Sequence, residues 1–142
     1  YGVSEQTLME SAHIRDIRLA HNLTTMWGKL FPQAWDWIQS TKEASHHNNK
    51  ARTIFGREMR LPDEEDESLE GIERKATNYP IQGSAADILK RSLILCKDMD
   101  IALQVHDELL IDGLVEPWKF DAMSRITPFE TPTEMRYLER WE

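Results

Sequence analysis

The clearest structural pattern in this sequence is the stretch IALQVHDELLID, which runs from Ile101 to Asp112. Two apolar, strand-like runs, IALQV and ELLI, flank the polar pair His106-Asp107. Such runs on either side of a two-residue polar segment predict a β-hairpin, and its tight turn would project both polar side chains away from the core. Together with the helical patterns that precede it, this hairpin predicts an α+β fold with a small antiparallel sheet.

The predicted turn also brings acidic groups together, because Glu108 directly follows Asp107. An isolated aspartate in a turn usually serves turn geometry. Adjacent carboxylates, however, repel each other unless a cation neutralises them, and Mg²⁺ binds carboxylates while keeping waters and substrate phosphates as ligands. The pair is therefore a candidate metal-binding group for phosphoryl transfer, with His106 as a hydrogen-bond donor to a sugar or base edge. Basic and amide side chains that would hold a polyanion occur upstream: Arg57, Arg60, Arg74, Asn78 and Gln82.

Composition and charge narrow the class of protein. The 142 residues suffice for about one domain, and the net charge of -8 argues against a wholly basic nucleic-acid binder. Charge is uneven, however, because residues 50–60 hold four basic side chains against one acid, whereas residues 63–67 are all acidic. Cys96 is the single cysteine, which indicates a reducing compartment. No apolar run is long enough to span a bilayer, so we expect a soluble protein without a membrane partner.

Capping residues and periodicity predict three helices in the first 45 residues. Ser4 and Asp16 are predicted N-caps of the first two helices, of which the first would end near Ala12. The third is predicted to follow Pro32 and to end near Thr41. Apolar side chains in the second helix recur at spacings of three and four, and we expect this stripe to pack in the core: Ala20, Leu23, Trp27 and Leu30.

Residues 52–61 predict a short hairpin around a glycine turn, and a longer helix is predicted to begin near Ser68, with Ile72 and Ala76 facing inward. Pro80 is predicted to kink or stop that helix, because a proline disfavours helical geometry in the residue before it. Ser84 would then cap a new helix. The last predicted elements are a helix at about 118–123 and a strand at about 134–138.

Five segments, in this order along the chain, resemble sequence elements of family A DNA polymerases, the class of bacterial DNA polymerase I. The hairpin is similar to the family's motif C, and the segment before it is similar to the long palm helix. The others resemble the end of motif B in the fingers helix, an FP-x-x-x-x-WI helix and a basic GR-x-R-x-LP element. The matching stretches are YGVS (1–4), FPQAW (31–35), FGREMRLP (55–62), ERKATNYPIQGSAADILK (73–90) and QVHDELLI (104–111).

This resemblance implies a C-terminal fingers and palm portion of a DNA-directed DNA polymerase, with residues 1–50 on the fingers side and residues 51–142 on the palm side. Asp107 would be the catalytic, metal-binding carboxylate of a two-metal Mg²⁺ site, and Glu108 its tuning neighbour. Tyr1 would lie at the insertion site of the incoming dNTP. The residues implied to contact primer–template DNA are Arg57, Arg74, Asn78, Gln82 and His106.

Departures from the family pattern are equally informative. Motif A, which supplies the second catalytic aspartate, is absent from the chain, as are the Arg and Lys that begin motif B. The chain also begins with Tyr1 rather than Met, so we expect a fragment, a processed product or a split subunit that needs an upstream partner carrying motif A. The segment between Gly113 and Thr133 is shorter than the family pattern leads us to expect, and such shortening resembles viral members of the family. We therefore expect the cytoplasm of a bacterial cell or of a virus-infected host cell.

Two other interpretations stay open at this stage. One is a noncatalytic DNA-binding or scaffold remnant of a polymerase, which would bind primer–template in a salt-dependent way without synthesis. The other is an unrelated α+β protein whose hairpin acids are structural, which would have no affinity for DNA.

Overall fold

The computed structural model of this chain describes residues 5–138, so Tyr1 and the predicted cap Ser4 lie outside the described residues. Helices and two small antiparallel sheets make up these residues, which confirms the α+β prediction. The elements are α1 Glu5–Ser11, α2 Ile17–Leu30, α3 Pro32–Ser45, β1 Lys50–Arg52, β2 Glu58–Arg60, α4 Leu69–Leu95, β3 Asp100–Val105, β4 Glu108–Asp112 and α5 Pro117–Ser124. The chain divides into two compact units at Gln82, residues 1–82 and residues 83–142.

The predicted starts of helices α2 and α3 are confirmed. Asp16 caps α2, because its side-chain Oδ1 accepts a hydrogen bond of 2.9 Å from the backbone N–H of Arg18. Pro32 occupies the first turn of α3, where its missing N–H would be unpaired in any residue. The helix ends at Ser45, four residues beyond the predicted end at Thr41.

The prediction that the α2 stripe packs in a core is wrong for most of its members. Ala20 is fully buried, but Trp27 is 39% exposed and Leu30 is 69% exposed. Trp27 instead packs against Phe31 and Trp35, with ring centroids 5.6 and 6.3 Å apart. Hydrophobic periodicity predicts that a helix has an apolar face, but it does not predict which segment covers that face.

The core of the first unit lies between the β1–β2 hairpin and the start of α4. Ala51, Leu61, Ile72 and Ala76 are all buried, which confirms the predicted inward positions of Ile72 and Ala76. Met59 and Tyr79 pack against this cluster. Gly56 makes the turn between the strands with a φ of 84°, a backbone conformation that residues with side chains rarely adopt.

Of the predicted kink or stop at Pro80, the stop is wrong, because helix α4 continues through Pro80. The predicted new helix start at Ser84 is wrong for the same reason. Ser68 caps it, since its Oγ accepts a hydrogen bond of 3.2 Å from the N–H of Gly71. A mid-helix proline costs roughly 3 kcal/mol through one lost hydrogen bond and a steric clash. A 27-residue helix that buries side chains along its length tolerates that cost.

The second unit contains the predicted hairpin, now observed as β3 and β4, and the predicted helix, observed as α5. The strands pair from Asp100 opposite Asp112 to Val105 opposite Glu108, with an irregularity between Ile101 and Leu103. The predicted strand at 134–138 is wrong, because those residues form neither helix nor strand. Within residues 5–138, no helix is long and apolar enough to cross a membrane.

Candidate active site

The β3–β4 turn consists of two residues, His106 and Asp107, between the paired residues Val105 and Glu108. His106 has a φ of 53°, whereas Asp107 has no positive φ, and these signs match a type II′ hairpin turn. That turn favours glycine at the His106 position, and a larger side chain there costs about 1–2 kcal/mol. Such backbone strain is typical of functional sites, so the turn is a candidate site on its geometry alone.

The turn presents its polar groups to solvent. His106 and Asp107 are exposed, as the sequence predicted, and Glu108 is exposed as well. Gln104 supports the turn, because its side-chain Nε2 donates a hydrogen bond of 3.1 Å to the backbone oxygen of His106. Among residues 5–138, the Asp107 side chain has no hydrogen bond or ion pair, so its carboxylate oxygens remain available to an external ligand.

The turn by itself does not form a complete metal site. In the described part of the chain, no three His, Cys, Asp or Glu side chains come together in a group that could hold a metal ion. Mg²⁺ prefers near-octahedral coordination by oxygen atoms, of which proteins often supply only one or two carboxylates. The donor chemistry of Asp107 fits one contribution to such a site, but further ligands must come from outside the described residues.

Three of the predicted DNA-contacting residues lie on one stripe of α4. Arg74, Asn78 and Gln82 follow each other at intervals of four, which places them along the same face of the unbroken helix. Arg74 and Gln82 are exposed and Asn78 is half-buried. The Oδ1 atom of Asn78 is buried without a hydrogen-bond partner among the described residues.

The remaining predicted DNA contact, Arg57, is exposed at the end of the β1–β2 turn. Its backbone N–H donates a hydrogen bond of 3.2 Å to the Oγ1 of Thr53.

The strands on either side of this turn carry ion pairs that the sequence did not reveal. Glu58 accepts hydrogen bonds from Lys50 and Arg52 at 2.8 and 2.5 Å, and these cations hold the pKa of its carboxyl below the ordinary value. The alternation of charged and apolar residues in KAR and EMR was the available signal, because alternate residues of a strand share one face of a hairpin.

Comparison with known proteins identifies the family. The model of DNA polymerase family A matches residues 1–128. The chain belongs to this family. Its hairpin turn and its α4 stripe are therefore parts of a family A polymerase domain, and Tyr1, the predicted nucleotide contact, lies outside the described residues.

Individual relatives agree with this assignment. The family A chain is 31% identical over 135 residues to a thermostable DNA polymerase I of Thermus aquaticus, covering 89% of this chain and 16% of the relative. It is 36% identical over 125 residues to DNA polymerase I of Rhizobium leguminosarum, covering 79% of this chain and 12% of the relative. The chain thus spans less than a fifth of the length of these curated relatives.

A solved structure matches the fold as well. The POL domain of Pol1 from M. smegmatis, in complex with DNA primer-template and dNTP, superposes with a TM-score of 0.78 at 31% sequence identity. The match covers 94% of this chain and 26% of the POL domain chain. The fold of this chain is therefore similar to that of a segment of a family A polymerase domain.

Proposed function

We propose that this chain is the C-terminal fingers and palm portion of a DNA-directed DNA polymerase, with residues 1–50 on the fingers side and residues 51–142 on the palm side. The substrates would be primer–template DNA and dNTPs, in the cytoplasm of a bacterial cell or a virus-infected host cell. The single observation that carries the proposal is the strained two-residue turn at the tip of a family A hairpin, which exposes the carboxylate of Asp107 without a partner among residues 5–138.

Asp107 is the proposed catalytic residue and metal ligand of this chain. Asp107 is exposed on the turn, so its carboxylate is accessible to a ligand. A pair of Mg²⁺ ions, when bound, would activate the primer 3′-hydroxyl and stabilise the leaving pyrophosphate. Glu108 adds a second negative charge beside Asp107 and would tune the affinity for cations, without being an obligatory ligand.

The remaining residues would hold the DNA. His106, on the same turn, would hydrogen-bond near the primer terminus. Gln82 would donate to the minor groove, where every base pair offers a purine N3 or pyrimidine O2 acceptor, so a contact there checks pair geometry without reading sequence. Arg74 and Asn78 would follow the duplex along the same stripe of α4, and Arg57 would contact a backbone phosphate.

Synthesis would require an upstream partner. The second metal-binding carboxylate of the family, in motif A, has no counterpart in this sequence, so we expect the isolated chain to be inactive. An upstream polymerase fragment that carries motif A would complete the site, and Tyr1 would then face the incoming dNTP.

Reconstitution tests this function. The chain is mixed with an upstream fragment carrying motif A, and primer extension is measured with wild type, Asp107→Asn and Asp112→Asn. Asp112 is an exposed acid at the opposite end of β4, so its substitution removes the same charge from the same hairpin. We expect the Asp112 variant to extend primers like wild type, and the Asp107 variant to lose a thousandfold or more in rate, roughly the loss seen for other catalytic carboxylates.

Each outcome distinguishes the alternatives. Normal extension by the Asp107→Asn variant would show that Asp107 is not the catalytic carboxylate. Salt-dependent binding to primer–template, with no fragment that confers synthesis, would favour a noncatalytic DNA-binding remnant. Absence of both binding and extension would refute the polymerase function.

A further inference from the structure

The outer face of the β1–β2 hairpin carries an unusual density of charge. Its register pairs Lys50 with Arg60 and Arg52 with Glu58, while Ala51 and Met59 point to the opposite side, towards the core. The four charged side chains Lys50, Arg52, Glu58 and Arg60 therefore share one exposed face, which we call the basic hairpin face.

Each cation on this face has an acidic partner within the chain. Glu58 bridges Lys50 and Arg52 with separate carboxylate oxygens, Oε2 and Oε1, at 2.8 and 2.5 Å. Arg60 pairs with Asp63 in the following loop at 2.7 Å. One carboxylate thus pairs with two of the three cations, and it lies between them, as a phosphate group would between two basic side chains.

These ion pairs are open to solvent. The side chain of Lys50 is 52% exposed, that of Arg52 is 69% exposed and that of Glu58 is 40% exposed. Exposed ion pairs contribute little to stability, so the fold does not depend on keeping them closed. A phosphate offers the same kind of anionic oxygen acceptors to a lysine or arginine as a carboxylate does. A nucleic-acid backbone can therefore take the place of Glu58 at little structural cost.

We propose that Glu58 acts as a built-in competitor for backbone phosphate on the basic hairpin face, which lowers the affinity of the chain for DNA until the strand displaces it. The inference rests on the proposed DNA-polymerase function, because it takes DNA as the polyanion. It assigns Lys50 and Arg52 as phosphate contacts in addition to Arg57. It also explains how a chain with a net charge of -8 retains a usable basic surface.

The test measures binding of the full 142-residue chain to a fluorescein-labelled primer–template duplex by anisotropy, across a range of salt concentrations. The variant is Glu58→Gln and the matched control is Glu64→Gln, an exposed acid in the 63–67 loop whose substitution changes the net charge equally. We expect Glu58→Gln to bind roughly tenfold more tightly at low salt, with a log–log salt dependence steeper by up to about 1.8, two phosphates at about 0.9 each. Glu64→Gln should bind within about twofold of wild type.

Two further variants sharpen the result. Combining Glu58→Gln with Lys50→Gln and Arg52→Gln should abolish the gain, because the released cations are then absent. Glu58→Thr removes the same charge with a residue that favours strands, so it replaces Glu58→Gln if that variant does not fold.

Equal tightening by the Glu58 and Glu64 variants would overturn the inference, since bulk charge would then explain the effect. Failure of every variant to bind DNA would overturn it too. If the reconstituted enzyme nevertheless extended primers in that case, the proposed polymerase function would stand while the role of Glu58 fell.

Discussion

The β1–β2 and β3–β4 hairpins are both two-stranded antiparallel ribbons, yet they place charge differently. The first rests on a buried apolar cluster and pairs its charges with one another on an exposed face. The second has an acidic tip at Asp107, which has no partner in the described part of the chain. An ion pair forms just outside its strands, where Asp98 precedes β3 and Lys119 lies in α5.

The second ion pair is of a different kind, because Lys119 is only 2% exposed whereas Asp98 is 65% exposed. The Lys119 Nζ donates to Asp98 at 2.5 Å, lies 3.6 Å from Glu116 and sits 5.5 Å from the centre of the Trp118 ring. A buried ammonium needs such partners, whereas exposed pairs can open and close at little cost. The comparison teaches that the ion pair beside the second hairpin stabilises the fold, whereas the exposed ion pairs of the first hairpin can be replaced by pairs with another anion at little cost in stability.

The largest expected effect is on the core beneath the first hairpin. Leu61, which is 1% exposed, follows β2, and Leu61→Ala should destabilise the first unit by about 2–5 kcal/mol through lost burial and a residual cavity. Hydrogen exchange by NMR would check this, with amide protection falling in β1 and β2 while β3 and β4 keep theirs. A uniform loss across both hairpins would show that their stabilities are not separable.

The next largest effect should be that substituting Asp98 lowers the free energy of unfolding more than substituting its partner Lys119 does. Asp98→Asn leaves Glu116 as the remaining carboxylate paired with the buried ammonium among the described residues, so we expect a clear loss of stability in urea unfolding. Lys119→Met should cost less, because it keeps the shape of the side chain and leaves Asp98 hydrated at the surface. The double variant should resemble Lys119→Met alone. Equal losses from the two single variants would contradict the distinction between buried and exposed partners.

The contribution of Asp98 should also depend on pH. The hydrogen bond from Lys119 holds the pKa of Asp98 below its ordinary value, so the ionised carboxylate is favoured in the folded state. A lowered pKa contributes stability that is complete above the unfolded-state pKa, about 4 for a carboxyl, and is lost as the pH falls through the folded-state value. The stability difference between wild type and Asp98→Asn should therefore be full at pH 7 and shrink on acidification below about pH 4. A difference that stays constant would argue against this ion pair.

The smallest effect is expected on the exposed face of the first hairpin. Arg60→Gln removes the pair with Asp63, and urea unfolding should change by no more than about 1 kcal/mol. A large loss of stability would show that the charges of this face are structural rather than exchangeable.

Much of the candidate site followed from local sequence. The apolar runs around His106 and Asp107 predicted the hairpin and its exposed tip, and both are observed. The α4 stripe was only half predicted, because Pro80 suggested an interruption between Asn78 and Gln82. The helix continues, since the burial along its length outweighs one missing hydrogen bond.

By itself the sequence determined the turn at residues 106–107, the cap of α2, the start of α4 near Ser68 and the inward positions of Ile72 and Ala76. These features depend on neighbouring residues and on strand or helix periodicity, which are local. Only the tertiary structure decided that Lys119 is buried against Asp98, that Glu58 bridges two cations and that the aromatic stripe of α2 stays largely exposed. Burial and ion pairing depend on which distant segments meet, and the free energy of those contacts is not written in any one stretch of chain.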